Sequence, residues 1–347
     1  MKWYENQNNI YQSVIISSRI RLARNIRNYL FPNHLTEQES YHMINELRDL
    51  LHGREIHNKA YSMIMMSQIP SLEKIALMEQ HLISPAFINA TAPNALVLSE
   101  DESLSIMVNE EDHLRIQAMG YGADLNHLLD GANALDDYLE EHLDYSFDRQ
   151  FGYLTACPTN VGTGLRASYM MHVPALEKTG QLRIILEAIG KFGITFRGIY
   201  GESSESIGSV FQISNQVTLG FSEQEILENL NSVTMQIVDQ ELAIREKLLT
   251  EKRIEFEDSI YRSYGTLSHA RILTSKEAMT LLSDIKLGIE IGILKTKTEQ
   301  GINIFNLMTK IQPANLQKYE NKALDVKERD IVRANMIRQS IPDIIGG

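Results

Sequence analysis

The sequence predicts an α+β fold, a largely antiparallel sheet flanked by helices and followed by a helical C-terminal domain. Three observations carry this expectation. Strand-like alternation and helical periodicity are interleaved up to about residue 220, after which the helical period runs almost unbroken. Several strand candidates follow one another with no helix between them, which favours hairpin neighbours over βαβ crossovers. At 347 residues the chain is long enough for two cores, with the division expected within or just after a long helix, giving domains over 1–246 and 247–347.

The elements are justified in order. Val14–Leu22 alternates as a strand. Thr36-Glu-Gln-Glu39 is a capping box, and it opens a helix with Met43, Ile44, Leu47, Leu50 and Leu51 on one face and Gly53 at its stop. Ala95–Leu98 and Ser103–Gln117 read as strands. Leu125, Leu128, Leu129, Leu135 and Leu139 define an amphipathic helix over 124–143. Leu165–Val173 is the next strand and 181–192 the next helix, and Ile194–Ile199 and Phe211–Leu219 complete the strands. A second capping box, Ser222-Glu-Gln-Glu225, starts a long helix through Leu227, Leu230, Val233, Ile237 and Leu242 toward Lys252. Thr274-Ser-Lys-Glu277 and Asp325-Val-Lys-Glu328 repeat the start signal.

A net charge of −12 opposes association with nucleic acid or anionic lipid, so neither is expected as a partner. The single cysteine excludes an internal disulfide. The N-terminus has no signal-peptide pattern and no run approaches membrane-spanning length, so a soluble, cytoplasmic protein is expected.

Against the acidic background the arginines stand out. The strand period places Ser17, Arg19 and Arg21 on one face of Val14–Leu22 and Ile16, Ile20 and Leu22 on the other. Arg115 ends a run in which Asn109, Glu111, His113 and Arg115 would share one face, with Glu110 and Asp112 on the other; a turn with solvated acids is the equal alternative for this run. Arg166, Ser168 and Met170 share a face of the next strand, and Arg197 leads into a glycine loop presenting Glu202. A guanidinium fork matches phosphate oxygens and does not titrate away, so this set suggests a polyphosphate site. Taken singly, the same arginines are equally compatible with solvated edge strands.

The lone cysteine lies in Cys157-Pro-Thr-Asn-Val-Gly-Thr-Gly164, where Gly162 and Gly164 would let the backbone approach a ligand closely. Such a loop is placed to meet a cationic substrate. The thiol by itself also fits a buried, inert cysteine. No phosphate loop of the G-x-x-x-x-G-K-[ST] type, no dinucleotide fingerprint, no H-R-D or D-F-G pair and no metal-ligand spacing is present. An arginine-built nucleotide site remains.

Together, Ser17-Ser-Arg-Ile-Arg21, Asn109-Glu-Glu-Asp-His113, the Cys157–Gly164 loop and the Leu-Arg-Ala strand after it resemble the ATP:guanido phosphotransferase (phosphagen kinase) family. The chain opens almost at the first arginine strand and carries a helical extension with Arg329-Asp-Ile-Val-Arg-Ala334, features similar to the bacterial branch that phosphorylates arginine side chains of proteins. The resemblance implies an enzyme using ATP with Mg²⁺ carried on the nucleotide. It assigns Ser17, Ser18, Arg19, Ile20, Arg21, His81, Arg115, Arg166, Ala167, Ser168, Tyr169, Met170, Arg197, Gly198, Ile199, Tyr200, Gly201 and Glu202 to the nucleotide site. Glu111 and Glu202 would hold the guanidinium and draw off its proton, with Cys157 beside it. Arg329, Asp330, Arg333 and Ala334 would form a regulatory phosphoarginine site, where the residues alone read as an intrahelical salt-bridge cluster. It further implies protein substrates bearing exposed arginines, a CtsR-type repressor among them, a McsA-type activator, a link to ClpC-type proteolysis and stress control, and a homodimer or larger oligomer. A kinase of free arginine or another small guanidino compound, and an inactive phosphoarginine-binding adaptor, are the alternatives.

Overall fold

A computed structural model describes residues 14–190, 193–199, 206–297, 303–341 and 344–346. The chain divides into two compact units, one built from Ser17–Tyr169 and Ser214–Ser232, the other mainly from Met170–Ile213 and Val233–Gly347.

The first unit takes its strands and helices in the order β1 (Ile15–Arg24), α1 (Glu37–Leu51), β2 (Glu55–Ile56), β3 (Lys59–Met65), α2 (Ser71–Glu79), α3 (Pro85–Asn89), β4 (Ala95–Ser99), β5 (Leu104–Val108), β6 (Leu114–Tyr121), α4 (Leu125–Glu140), the hairpin β7 (Phe147–Asp148) and β8 (Gly152–Tyr153), and β9 (Leu165–His172). The strand order is β9-β1-β6-β5-β4-β3-β2. From β6 to β2, and between β1 and β6, every pairing is antiparallel; the lack of an intervening helix accounts for β2–β3, β4–β5 and β5–β6, whereas α2 and α3 lie between β3 and β4. The Thr36 capping box forms with both of its hydrogen bonds, and Met43, Ile44, Leu47 and Leu51 of α1 are buried.

Two strand expectations change. The run 103–117 is a hairpin, because Asn109 takes a left-handed φ of 60° and its N–H bonds the His113 carbonyl, turning the chain between β5 and β6. The run Phe211–Leu219 keeps its strand only to Asn215. The strand β3 escaped the sequence reading because its Lys59-Ala-Tyr-Ser-Met-Ile-Met65 pattern has no clear alternation.

The second unit contains α5 (Pro174–Lys178), α6 (Leu182–Ile189), β10 (Ile194–Gly198), β11 (Val210–Asn215), most of α7 (Glu223–Glu251), then α8 (Arg253–His269), α9 (Ser275–Glu290), β12 (Leu294–Thr296), α10 (Ile304–Lys310), α11 (Pro313–Tyr319), α12 (Val326–Ser340) and β13 (Ile344–Gly346). β10 pairs with β11. Its core joins Phe256, Ile260, Leu282, Ile285, Met308 and Ile337 from successive helices. Buried Glu241 of α7 accepts the free N–H groups of Ala175 and Leu176 at the start of α5, at 3.1 and 2.8 Å, and also bonds Arg245. Arg245 in turn reaches Glu290 of α9 at 2.9 Å, so one polar network fixes three helices.

Candidate active site

The register of β1 on β6 sets Arg19 opposite Met119, Arg21 opposite Gln117 and Ala23 opposite Arg115. Directly opposed residues share a face, so Arg19, Arg21 and Arg115 project from the same side. Arg166 of β9 completes the group, since its charge acts on both Arg19 and Arg21. Burial holds Arg19 down to about 10, with Arg115 and Arg166 adding to the effect. Arg21 is pushed further in the same direction by burial and by Arg19, Arg115 and Arg166, against a smaller pull from Glu110. Guanidinium groups remain protonated in proteins, so these shifts express the cost of crowding cations in a half-buried place. A polyanion would relieve that cost. The buried Nε of Arg21 has no hydrogen-bond partner among the described residues, which fits a missing phosphate oxygen. His81, in a left-handed turn at φ 63°, lies near enough to Arg19 that burial and this charge lower it to about 3, keeping it neutral.

The residues after β5 form the other half of the site. Burial, then Asp112 and Glu110, raises Glu111 above the ordinary carboxylate range, opposed by Arg115 and by a hydrogen bond from the Cys157 thiol. Cys157 Sγ also lies 3.0 Å from Thr159 Oγ1. The structure therefore brings together Glu111 and Cys157, which are distant in sequence. Asp112 Oδ1 accepts from Asn25 Nδ2 and from the Ala156 N–H, both at 2.6 Å, and so ties the turn after β5 to the cysteine loop.

The turn breaks the period of two, so Glu110 does not point away from the cleft residues. Its carboxylate bonds Arg115 at 2.6 Å and Ser84 Oγ at 2.6 Å. Burial pushes Glu110 up, but Arg115 and these hydrogen bonds more than offset it and leave it lowered. His113 is a core residue, not a cleft one: its Nδ1 accepts from the Ile26 N–H at 3.0 Å and its Nε2 meets the Leu30 carbonyl at 2.7 Å. Gly162 and Gly164, at φ 117° and 67°, make room for the protein's own chain. A Cβ on Gly164 would lie 2.5 Å from an Arg24 nitrogen, and one on Gly162 would lie 2.9 Å from the Leu219 Cα. Glu110 was legible only as an acid close to Arg115 in sequence, a weak signal that the assumed strand masked.

The remaining assigned residues separate. Ser17 is buried on the arginine side of β1, whereas Ser18 faces away, where its hydroxyl reaches the Gly122 carbonyl and accepts from the Asp124 N–H. Ile20 and Ala167 are core residues, and the Ala167 N–H bonds Asn215. Ser168 is buried. Tyr169, an odd number of positions from Arg166, points to the other face and donates to Asn231 of α7. Met170 packs in the core of the second unit, where Arg197 is exposed, Gly198 is partly buried and Ile199 packs partly buried against that core. Tyr200, Gly201 and Glu202 lie outside the described residues. In α12, Arg329 bonds the Leu324 carbonyl at 2.9 Å, while fully buried Arg333 bonds the carbonyls of Ile311 and Leu273 and the Asp330 carboxylate, and Ala334 is buried beside it. No group of metal-ligating side chains occurs among the described residues.

A face of converging arginines beside a carboxylate–thiol corner has the residue types that a nucleotide-dependent phosphotransferase needs, which makes it the candidate site. The family model for the ATP:guanido phosphotransferase C-terminal catalytic domain matches residues 42–244, and a model for the protein-arginine kinase McsB C-terminal domain matches 253–344. The chain belongs to the ATP:guanido phosphotransferase family. It is 48% identical over 325 residues to the protein-arginine kinase of Halalkalibacterium halodurans, covering 94% of this chain and 91% of that one. The Bacillus subtilis protein-arginine kinase is 48% identical over 329 residues, covering 94% and 90%. Among solved structures, the duplicated taurocyamine kinase of Schistosoma mansoni aligns with a TM-score of 0.60 at 25% identity over 69% of this chain, which spans 34% of that longer chain. A lombricine kinase shares the fold, with a TM-score of 0.59 at 24% identity over 70% of each chain.

Proposed function

We infer that the protein is an ATP-dependent kinase of arginine side chains in proteins, an assignment supported above all by the contact between Glu111 and Cys157 beside the arginine face. A guanidinium is a poor nucleophile while protonated, so the acceptor needs a carboxylate to orient it and take its proton. Glu111 is placed for both tasks, and its raised affinity for protons suits a base. Glu202 is the second carboxylate on family grounds. Arg19, Arg21, Arg115 and Arg166 hold the triphosphate and neutralise charge developing at the transferred group, with Glu110 fixing Arg115. Bound as its magnesium complex, the nucleotide supplies the phosphoryl group.

The decisive assay offers ATP with either free arginine or an unstructured arginine-containing protein and measures acid-labile phosphate. Transfer to the protein is expected. Transfer to free arginine alone would make this a metabolite kinase, and nucleotide-independent capture of phosphoarginine without transfer would make it an adaptor. McsA-type activation, a CtsR-type substrate and ClpC-type proteolysis are proposed on the same resemblance. No helix among the described residues is long and apolar enough to cross a membrane.

Cys157 acts here through its weak hydrogen bond to Glu111. Cys157→Ser replaces a weak S–H donor by a stronger O–H donor that competes with the guanidinium for the carboxylate. About a tenfold fall in kcat is expected, with Cys157→Ala milder. Wild-type kcat in the serine variant, or a phosphocysteine trapped in mid-reaction, would reject this role.

We also propose that Arg329, Asp330, Arg333 and Ala334 form a regulatory phosphoarginine site. Arg333 is engaged with backbone carbonyls, so recruiting it requires local rearrangement, which would couple binding to conformation. Calorimetric titration with phosphoarginine should show at least tenfold weaker binding for Arg329→Ala than for the wild type, and equal affinities would remove the site.

A further inference from the structure

The loop carrying Cys157 is flanked by apolar side chains that no step above uses. Val217, Leu219 and Phe221 are 46%, 47% and 53% exposed, whereas Thr218 is 3% exposed. Thr218 is the inward residue of this stretch, which then turns at Leu219–Gly220, with Gly220 at φ 84°. Thr218 Oγ1 lies 2.7 Å from the Val161 carbonyl and 3.1 Å from that of Thr159, and Gly162 packs against the Leu219 backbone. On the loop's other side Tyr153 bridges to Gly162, and the Tyr153 and Phe147 rings meet at 5.2 Å. Phe147 and Phe151 are 47% and 46% exposed. Single exposed apolar residues are ordinary, but a set on both sides of one loop marks a surface for binding.

The place of this rim identifies what meets it. An arginine whose guanidinium sits at Glu111 and Cys157 remains tethered to its polypeptide. In an extended segment the residues within three positions of it lie within about 10 Å. They must therefore pass the strands and turns that frame the cysteine loop.

We propose that Phe147, Phe151, Val217, Leu219 and Phe221 form a substrate-docking rim, which takes an aliphatic or aromatic side chain lying within about three residues of the target arginine in an extended segment. The inference rests on the protein-arginine reading above. Free arginine has nothing to place there, so the rim distinguishes polypeptide acceptors from small ones.

The test uses two peptides of equal length with one arginine each, one flanked by Leu and Phe and the other by Ser and Gly. Wild-type kcat/KM should favour the apolar peptide by about tenfold, mainly through KM, the scale of one apolar side chain in a pocket. A Leu219→Ser/Phe221→Ser variant, and separately Phe147→Ser in case the first fails to fold, should lose that preference while keeping wild-type rates on the polar peptide. Equal kcat/KM for both peptides in the wild type, or a preference that survives in both variants, would overturn the rim while leaving protein-arginine kinase activity intact. Transfer to neither peptide, with transfer to free arginine, would overturn the protein-arginine reading and the rim together. Wild-type indifference to the flanks, with a shift from dimer to monomer in Leu219→Ser/Phe221→Ser, would assign the surface to a second copy of this chain and overturn the proposal.

Discussion

Replacing Glu111 by Gln should lower kcat by about 10²–10⁴-fold, the range for loss of a positioned general base, while nucleotide affinity stays within about twofold. The amide keeps the size of the carboxylate and an acceptor for the Cys157 thiol but cannot take the guanidinium proton. The arginine face is not built on Glu111, since Arg115 is held by Glu110. Binding and turnover should therefore separate. The pH profile adds an independent check. Burial together with Asp112 and Glu110 raises Glu111, so the base is lost as pH falls through a value above the usual carboxylate range of about 4.3. The wild type should show that acidic limb in kcat and Glu111→Gln should not. An equal fall in nucleotide affinity and kcat would move Glu111 from acceptor chemistry to nucleotide binding.

The second large effect concerns the support beneath the cysteine loop. Arg24 is 1% exposed, bonds Asp136 through Nε and a terminal nitrogen at 2.9 and 2.7 Å, lies 3.7 Å from the centre of the Tyr153 ring, and donates to the Thr163 carbonyl at 2.9 Å. Arg24→Met would leave the Asp136 charge buried without its counter-ion and release the Gly162–Gly164 turn. Breaking a buried pair from one side typically costs about 3–5 kcal/mol, so a clear drop in the urea midpoint is expected. Arg24→Met/Asp136→Leu should recover much of that stability, because no charge is stranded. It should not recover turnover if the Thr163 contact sets the loop. An unchanged midpoint in the single variant would show that the pair contributes little.

How far the site was legible depended on whether its geometry came from local periodicity. Arg19 and Arg21 were read correctly because a strand dictates that alternate side chains share a face, and the register on β6 then adds Arg115. The same rule failed for residues 109–113, where one left-handed residue turned the chain and reassigned His113 to the core and Glu110 to Arg115. At Gly162 and Gly164 the need for glycine was visible. Its cause was not, because the atoms filling the space come from Arg24 and from the chain near Leu219.

By itself the sequence determined the antiparallel α+β class, the capped helices, the arginine strands and the family motifs, since each depends on residues a few positions apart. Only the tertiary structure decided that Glu111 meets Cys157, that Asp112 ties two loops through Asn25 and Ala156, and that Tyr169 turns from the arginine face while Arg333 is sealed among carbonyls. Such contacts join residues tens of positions apart. They are selected by burial and by the need to pair every buried polar group, conditions that exist only once the chain has closed around them.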